Sequence, residues 1–165
     1  MPPEPGPALP QTCCPTVWLW PGQALYAGPG LGLEPHSGSV WCLAVGVDGP
    51  LTVTLQGSAT VARSVLIPPR LTHHLSMQGG LVSSYLDPSS QRSASCRQQF
   101  TEFRDGIGVV HAAETRLTAM PEDDDAARRW LKGEITDEAA VSDMASRFQR
   151  LVDAWQRASG RAKAA

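Results

Sequence analysis

Residues 24–55, ALYAGPGLGLEPHSGSVWCLAVGVDGPLTVTL, and residues 64–88, SVLIPPRLTHHLSMQGGLVSSYLDP, decide how this chain folds. In both, short apolar runs are broken by Gly and Pro, and no run is long enough for a helix of ordinary length. Leu51, Val53 and Leu55 alternate with Thr52, Thr54 and Gln56, the pattern of a strand with one buried and one wet face. Val47-Asp48-Gly49-Pro50 reads as a hairpin turn in front of it. Working outward, β-favouring runs at Val17–Trp20, Gln23–Gly28, Val40–Val47, Leu51–Gln56, Ser64–Ile67, Leu81–Leu86 and Ile107–His111 are separated by turn signals. Strands at this spacing predict a small barrel or sandwich.

The bulk composition agrees. The 165 residues are 42% hydrophobic and only 18% charged, with 15 Gly and 14 Pro, which suits a turn-rich β-protein with one core. A net charge of -2, with no clustered Lys or Arg, lacks the footprint of a nucleic-acid binder. No stretch has the roughly 18–20 consecutive apolar residues of a membrane span, and the N-terminus has no signal-peptide pattern, so the expected location is cytoplasmic. Cys13, Cys14, Cys42 and Cys96 follow no zinc or disulfide spacing and are expected to be reduced thiols.

Residues 1–16 hold six prolines and read as a flexible arm, followed by a barrel over 17–115, a two-helix segment over 116–160 and a tail over 161–165. Ser89–Arg104 is polar and reads as a short helix or covering loop. Acidic residues 122–125 and basic Arg128, Arg129 and Lys132 before Gly133 predict a helix over 121–132. A second helix over Asp137–Ser159 places Val141, Met144, Phe148, Leu151 and Trp155 on one seam, a surface for the barrel or for a second copy of the chain.

A barrel would bring His36 and the His73-His74 pair to one place, and these three imidazoles are the candidate metal ligands, with Zn, Ni or Fe as the ions they suit. Because neighbouring residues on a strand face opposite ways, His73 and His74 enter together only through a bulge, which leaves at most two inward histidines, with Cys42 as a further candidate ligand. His36, Trp41, His73 and Tyr85 are the candidate ligand-binding residues, with Trp18 and Trp20 as further pocket walls or as core. His111 reads as structural. No Gly-x-Ser-x-Gly elbow is present. The Gly28–Gly32 segment, interrupted by Pro29, is a turn rather than a dinucleotide loop.

In order and spacing, Ala24-Leu25-Tyr26-x-Gly28-Pro29-Gly30, Pro35-His36, Gly46-Val47-Asp48-Gly49-Pro50, Val65-Leu66-Ile67-Pro68-Pro69 with His73, and Tyr85-Leu86-Asp87-Pro88 resemble the cupin-like N-terminal sensor domain of AraC-family transcriptional regulators. The resemblance covers roughly Val17 to Pro88. It implies a mainly β fold, a cupin-like double-stranded β-helix or jelly-roll barrel followed by two C-terminal α-helices. It also implies a small-molecule effector in the barrel, a homodimer, and DNA contact only through helix-turn-helix motifs that would follow this chain. Metal-binding cupins present a second histidine where Gly38 stands, and such turns often carry glycine where Arg70 stands. A non-enzymatic sensor is therefore the first expectation, and a metal-dependent cupin isomerase or dioxygenase the second.

Overall fold

The computed structural model describes residues 15–134, 149–158 and 160. Along them run β1 (Thr16–Trp20), β2 (Gln23–Pro29), β3 (Trp41–Gly46), β4 (Leu51–Leu55), β5 (Ser58–Ala62), β6 (Ser64–Ile67), β7 (His74–Ser76), β8 (Gly80–Leu86), α1 (Gln91–Gln98), β9 (Phe100–Arg104), β10 (Ile107–His111), α2 (Glu114–Leu117) and α3 (Asp124–Glu134). Every strand expected from the sequence is present within a residue or two. β5, β7 and β9 are additional: β5 is built of small residues, β7 spans three positions, and β9 lies in the polar stretch assigned to a helix or loop, which divides into α1 and this strand. The Gly28-Pro29 turn is displaced too, since β2 stays paired with β8 through Pro29.

The strands form two antiparallel sheets, ordered β1-β2-β8-β3-β6-β10-β9 and β5-β4-β7. β3 pairs with β6 and β8, whereas β4 pairs with β5 and β7. Residues 47–50 are therefore not a hairpin turn; they carry the chain from one sheet to the other. Arg63 holds this crossing, its Nε donating to the Gly46 carbonyl at 3.0 Å and its guanidinium also donating to the Val47 carbonyl.

Alternation along the strands fills two cores. Tyr26, Ala44, Val65, Ile67 and Leu81 of the large sheet meet Leu51 and Val53 of the small sheet between the layers. Their neighbours Leu25, Leu43, Val45, Leu66, Val82 and Leu86 face outward, where Cys96, Leu117, Ala127, Trp130 and Leu131 of the helices cover them. α3 begins at Asp124, later than the expected 121, because the Asp123 carboxylate caps it by accepting the Ala126 N–H at 2.7 Å. The Trp18 indole N–H donates to Asp124 at 2.8 Å and ties β1 to the same helix end. Val110 adopts a φ of 63°, which interrupts the strand alternation. His111 beyond it stands edge-on to Phe100 at 5.2 Å, buried on the helix-covered side, the structural place expected of it.

Residues 149–158 are helical, and Leu151 and Trp155 on them are exposed. Val141, Met144 and Phe148, the rest of the expected seam, lie outside the described residues, as do the first 14 residues with Cys13 and Cys14.

Candidate ligand pocket

Loop 30–40 folds over one end of the space between the sheets. Backbone bonds pin it there: Gly30 N–H to the Gly79 carbonyl, Arg70 N–H to the Gly38 carbonyl, and a reciprocal pair between His36 and His73 at 3.0 and 2.9 Å. Arg70 makes its bond from a φ of 65°, a conformation that glycine takes without strain, which explains the preference for glycine at such a turn. Beneath the loop is a cavity of about 70 Å³ lined by His36, Cys42, His73, Met77, Ser83 and Tyr85 among others, with no Asp, Glu, Lys or Arg. A drug-sized ligand needs about 300 Å³ or more, so this space suits a molecule of few heavy atoms.

The reciprocal backbone pair sets the two imidazoles side by side, ring centroids 4.8 Å apart and planes tilted by 52°. Each ring is fixed in the same way by the carbonyl two residues before it. Nδ1 of His36 lies 2.9 Å from the Glu34 oxygen, and Nδ1 of His73 lies 2.8 Å from the Leu71 oxygen. A carbonyl can only accept, so both Nδ1 atoms carry the proton, and in each neutral ring Nε2 keeps its lone pair. Sequence reasoning finds the two histidines but not this shared tautomer, which depends on loop backbone geometry.

Deeper in, Cys42 on β3 stands directly opposite Tyr85 on β8. Burial pushes the Cys42 thiol up to about 12, and burial followed by the neighbouring Cys42 and Tyr26 pushes the Tyr85 phenol to about 12 as well. The buried Ser83 hydroxyl makes no full hydrogen bond, yet it lies near enough to both groups to moderate the rise. At neutral pH the floor of the pocket is thus an uncharged thiol and phenol. Ser83 and Met77 were not anticipated, although the alternation Leu81, Ser83, Tyr85 would have placed Ser83 on the Tyr85 face.

Two expected site residues lie elsewhere. Trp41 faces the opposite way from Cys42, packs on the helix side of the sheet and lies under the Arg97 guanidinium, whose carbon is 5.3 Å from the ring centroid. Trp18 and Trp20 pack against that outer core too. His74, one step along from His73, borders a separate recess with Asp48 and Glu122, so the three imidazoles are not gathered. Among the described residues no group of three or more His, Cys, Asp and Glu side chains is placed to hold a metal ion.

His73 has its pKa lowered, first by burial and secondarily by the neighbouring His36 and His74, while its bond to Leu71 works against the shift. The unfolded chain therefore binds a proton at a higher pH than the fold does. This contribution to stability is complete above about pH 6.5, falls as pH drops through that value, and levels off below the folded pKa. Urea midpoints at pH 7.5 and 5.5 are expected to drop more for the wild type than for His73→Gln; equal drops would remove His73 as a source of acid sensitivity.

Two antiparallel sheets around a core, closed at one end by a histidine-bearing loop and backed by helices, define a cupin-like barrel with C-terminal helices. Similar solved structures include the protein NMB1881 of Neisseria meningitidis, 20% identical over 48% of this chain and 90% of that one with a TM-score of 0.40. A cupin-2 domain protein of Shewanella frigidimarina is 12% identical over 47% of this chain and 84% of that one, TM-score 0.40. A cupin domain of Bordetella pertussis is 17% identical over 45% and 92%, TM-score 0.33. No curated protein matches the chain. A family described as an uncharacterized protein conserved in bacteria (DUF2090) matches residues 123–159, a minor part of the chain. No helix among the described residues is long and apolar enough to cross a membrane.

Proposed function

We propose that this chain is a small-molecule sensing and dimerisation domain of the AraC-regulator type, with the effector held between the sheets. The observation that carries this reading is the pocket lined by no Asp, Glu, Lys or Arg, whose two imidazoles are held in one tautomer with Nε2 left as an acceptor. Such a site is preorganised to bind, and it has no activated nucleophile beside a base. The exposed Leu151 and Trp155, four residues apart on a helical segment, support self-association through the C-terminal seam. A ligand that binds one dimer geometry better than another shifts the equilibrium between them, and attached DNA-binding helices would read that shift.

A metal-dependent cupin enzyme is the second reading, favoured by one feature. A metal-bound histidine typically donates its other ring N–H to a carbonyl or carboxylate, as Nδ1 of His36 and His73 both do. The donor set among the described residues falls short of a catalytic centre: two imidazoles, no carboxylate in the pocket, and His74 in another recess. No reaction step is assigned to it.

Both readings meet in one experiment on the full chain, comparing wild type with His36→Ala/His73→Ala by metal analysis and by a thermal-shift screen of a metabolite library. The sensor reading expects library members that raise the melting temperature of the wild type and not of the variant. About one metal ion per wild-type chain, lost in the variant, would transfer support to the enzyme. A library that stabilises neither protein, or both equally, counts against a sensor at this pocket.

A further inference from the structure

Resting on the sensor reading, we propose that the effector is a small uncharged molecule whose N–H or O–H groups donate to Nε2 of His36 and of His73. The chemistry of the pocket selects this class by elimination. A ligand cation would meet no carboxylate, and a ligand anion would meet no Lys or Arg, because none of these residues lines the space. An ion would therefore give up its hydration without a compensating charge, at greater cost than a neutral molecule.

Direction follows from the two backbone carbonyls. Glu34 and Leu71 occupy the Nδ1 protons of His36 and His73. A neutral ring then offers the pocket an acceptor, and two acceptors stand side by side with ring centroids 4.8 Å apart. A ligand that only accepts would cover the lone pairs of the exposed His36 and the buried His73 without offering either a donor, so the hydrogen bonds they make to water would be lost without replacement. A ligand that donates satisfies one or both. The cavity of about 70 Å³ limits its body to a few heavy atoms, with Met77 and Leu75 in the wall and the thiol and phenol of Cys42 and Tyr85 below as partners for an acceptor on the same molecule.

The test uses matched probes on the full chain in the presence of EDTA: pyrazole against 1-methylpyrazole, acetamide against N,N-dimethylacetamide, and acetate as the charged member. Isothermal titration is expected to show pyrazole or acetamide binding at least about tenfold more tightly than its methylated partner, with that preference lost in His36→Ala/His73→Ala. Methylated probes that bind as well as their parents would overturn the donor assignment, and acetate as the best ligand would overturn the uncharged one. Should no probe bind while the metabolite library yields a charged or acceptor-only ligand, the class is wrong and the sensor survives. A library with no ligand at all removes the sensor reading, and this inference with it.

Discussion

Replacing Gly46 by alanine is expected to destabilise the fold by roughly 3 kcal/mol or more, enough to threaten folding of a small domain. Gly46 ends β3 where the chain leaves the large sheet, and a Cβ built there lies 2.0 Å from the Gly49 carbonyl oxygen and 3.3 Å from Leu51. The first clash is with backbone, which no rotamer change relieves. Nor can the backbone move cheaply: the Gly46 N–H donates to the Arg63 carbonyl at 2.9 Å, and the Arg63 guanidinium holds the Gly46 and Val47 carbonyls. Gly49→Ala is the internal control, because a Cβ there meets nothing within 4 Å, and its effect is expected to stay within about 0.5 kcal/mol. Urea unfolding followed by circular dichroism reads both. A Gly46→Ala protein as stable as the wild type would mean that residues 47–50 do not make this tight crossing between sheets.

Removing the Trp130 side chain is the second large effect, with about 3–5 kcal/mol expected for Trp130→Ala. The residue is only 5% exposed, sits in the outer core with Leu43, Val45 and Leu86, and its indole N–H donates to the Leu117 carbonyl at 2.9 Å. It thus docks α3 on the sheet and ties α3 to α2 at the same time. Trp130→Phe separates the two contributions, because it keeps most of the apolar contact and loses the hydrogen bond, for an expected cost of about 1–3 kcal/mol. A Trp130→Ala protein within 1 kcal/mol of the wild type would show that α3 contributes little to the barrel's stability.

These two sites mark where local pattern stops being informative. The strand at Leu51–Leu55 was legible because the outer face of the small sheet is open to water and its alternation survives in the residue types. β3 hid its orientation, since both faces of the large sheet are covered, one by β4 and its neighbours and the other by helices; its residues read as one apolar run. For that reason Trp41 could be taken for a pocket residue when Cys42 holds the inward position. The hairpin assigned to residues 47–50 failed for a related reason. Turn chemistry identifies a reversal of the chain, but whether the next strand joins the same sheet depends on partners far away in sequence.

The β character, the positions of most strands, the acidic start and basic end of α3, and His36 and His73 as the residues to watch are all legible in the order of residues. These follow from period, turn residues and side-chain chemistry, all of which act over a few neighbours. The folded chain alone reveals that His36 and His73 meet through a backbone bridge while His74 turns away. It alone assigned the Nδ1 protons to the Glu34 and Leu71 carbonyls and brought Cys42, Ser83 and Tyr85 beneath the pair. Those relations are set by register between strands and by how one loop closes over the gap between sheets, and such long-range pairing leaves no local mark in the order of residues.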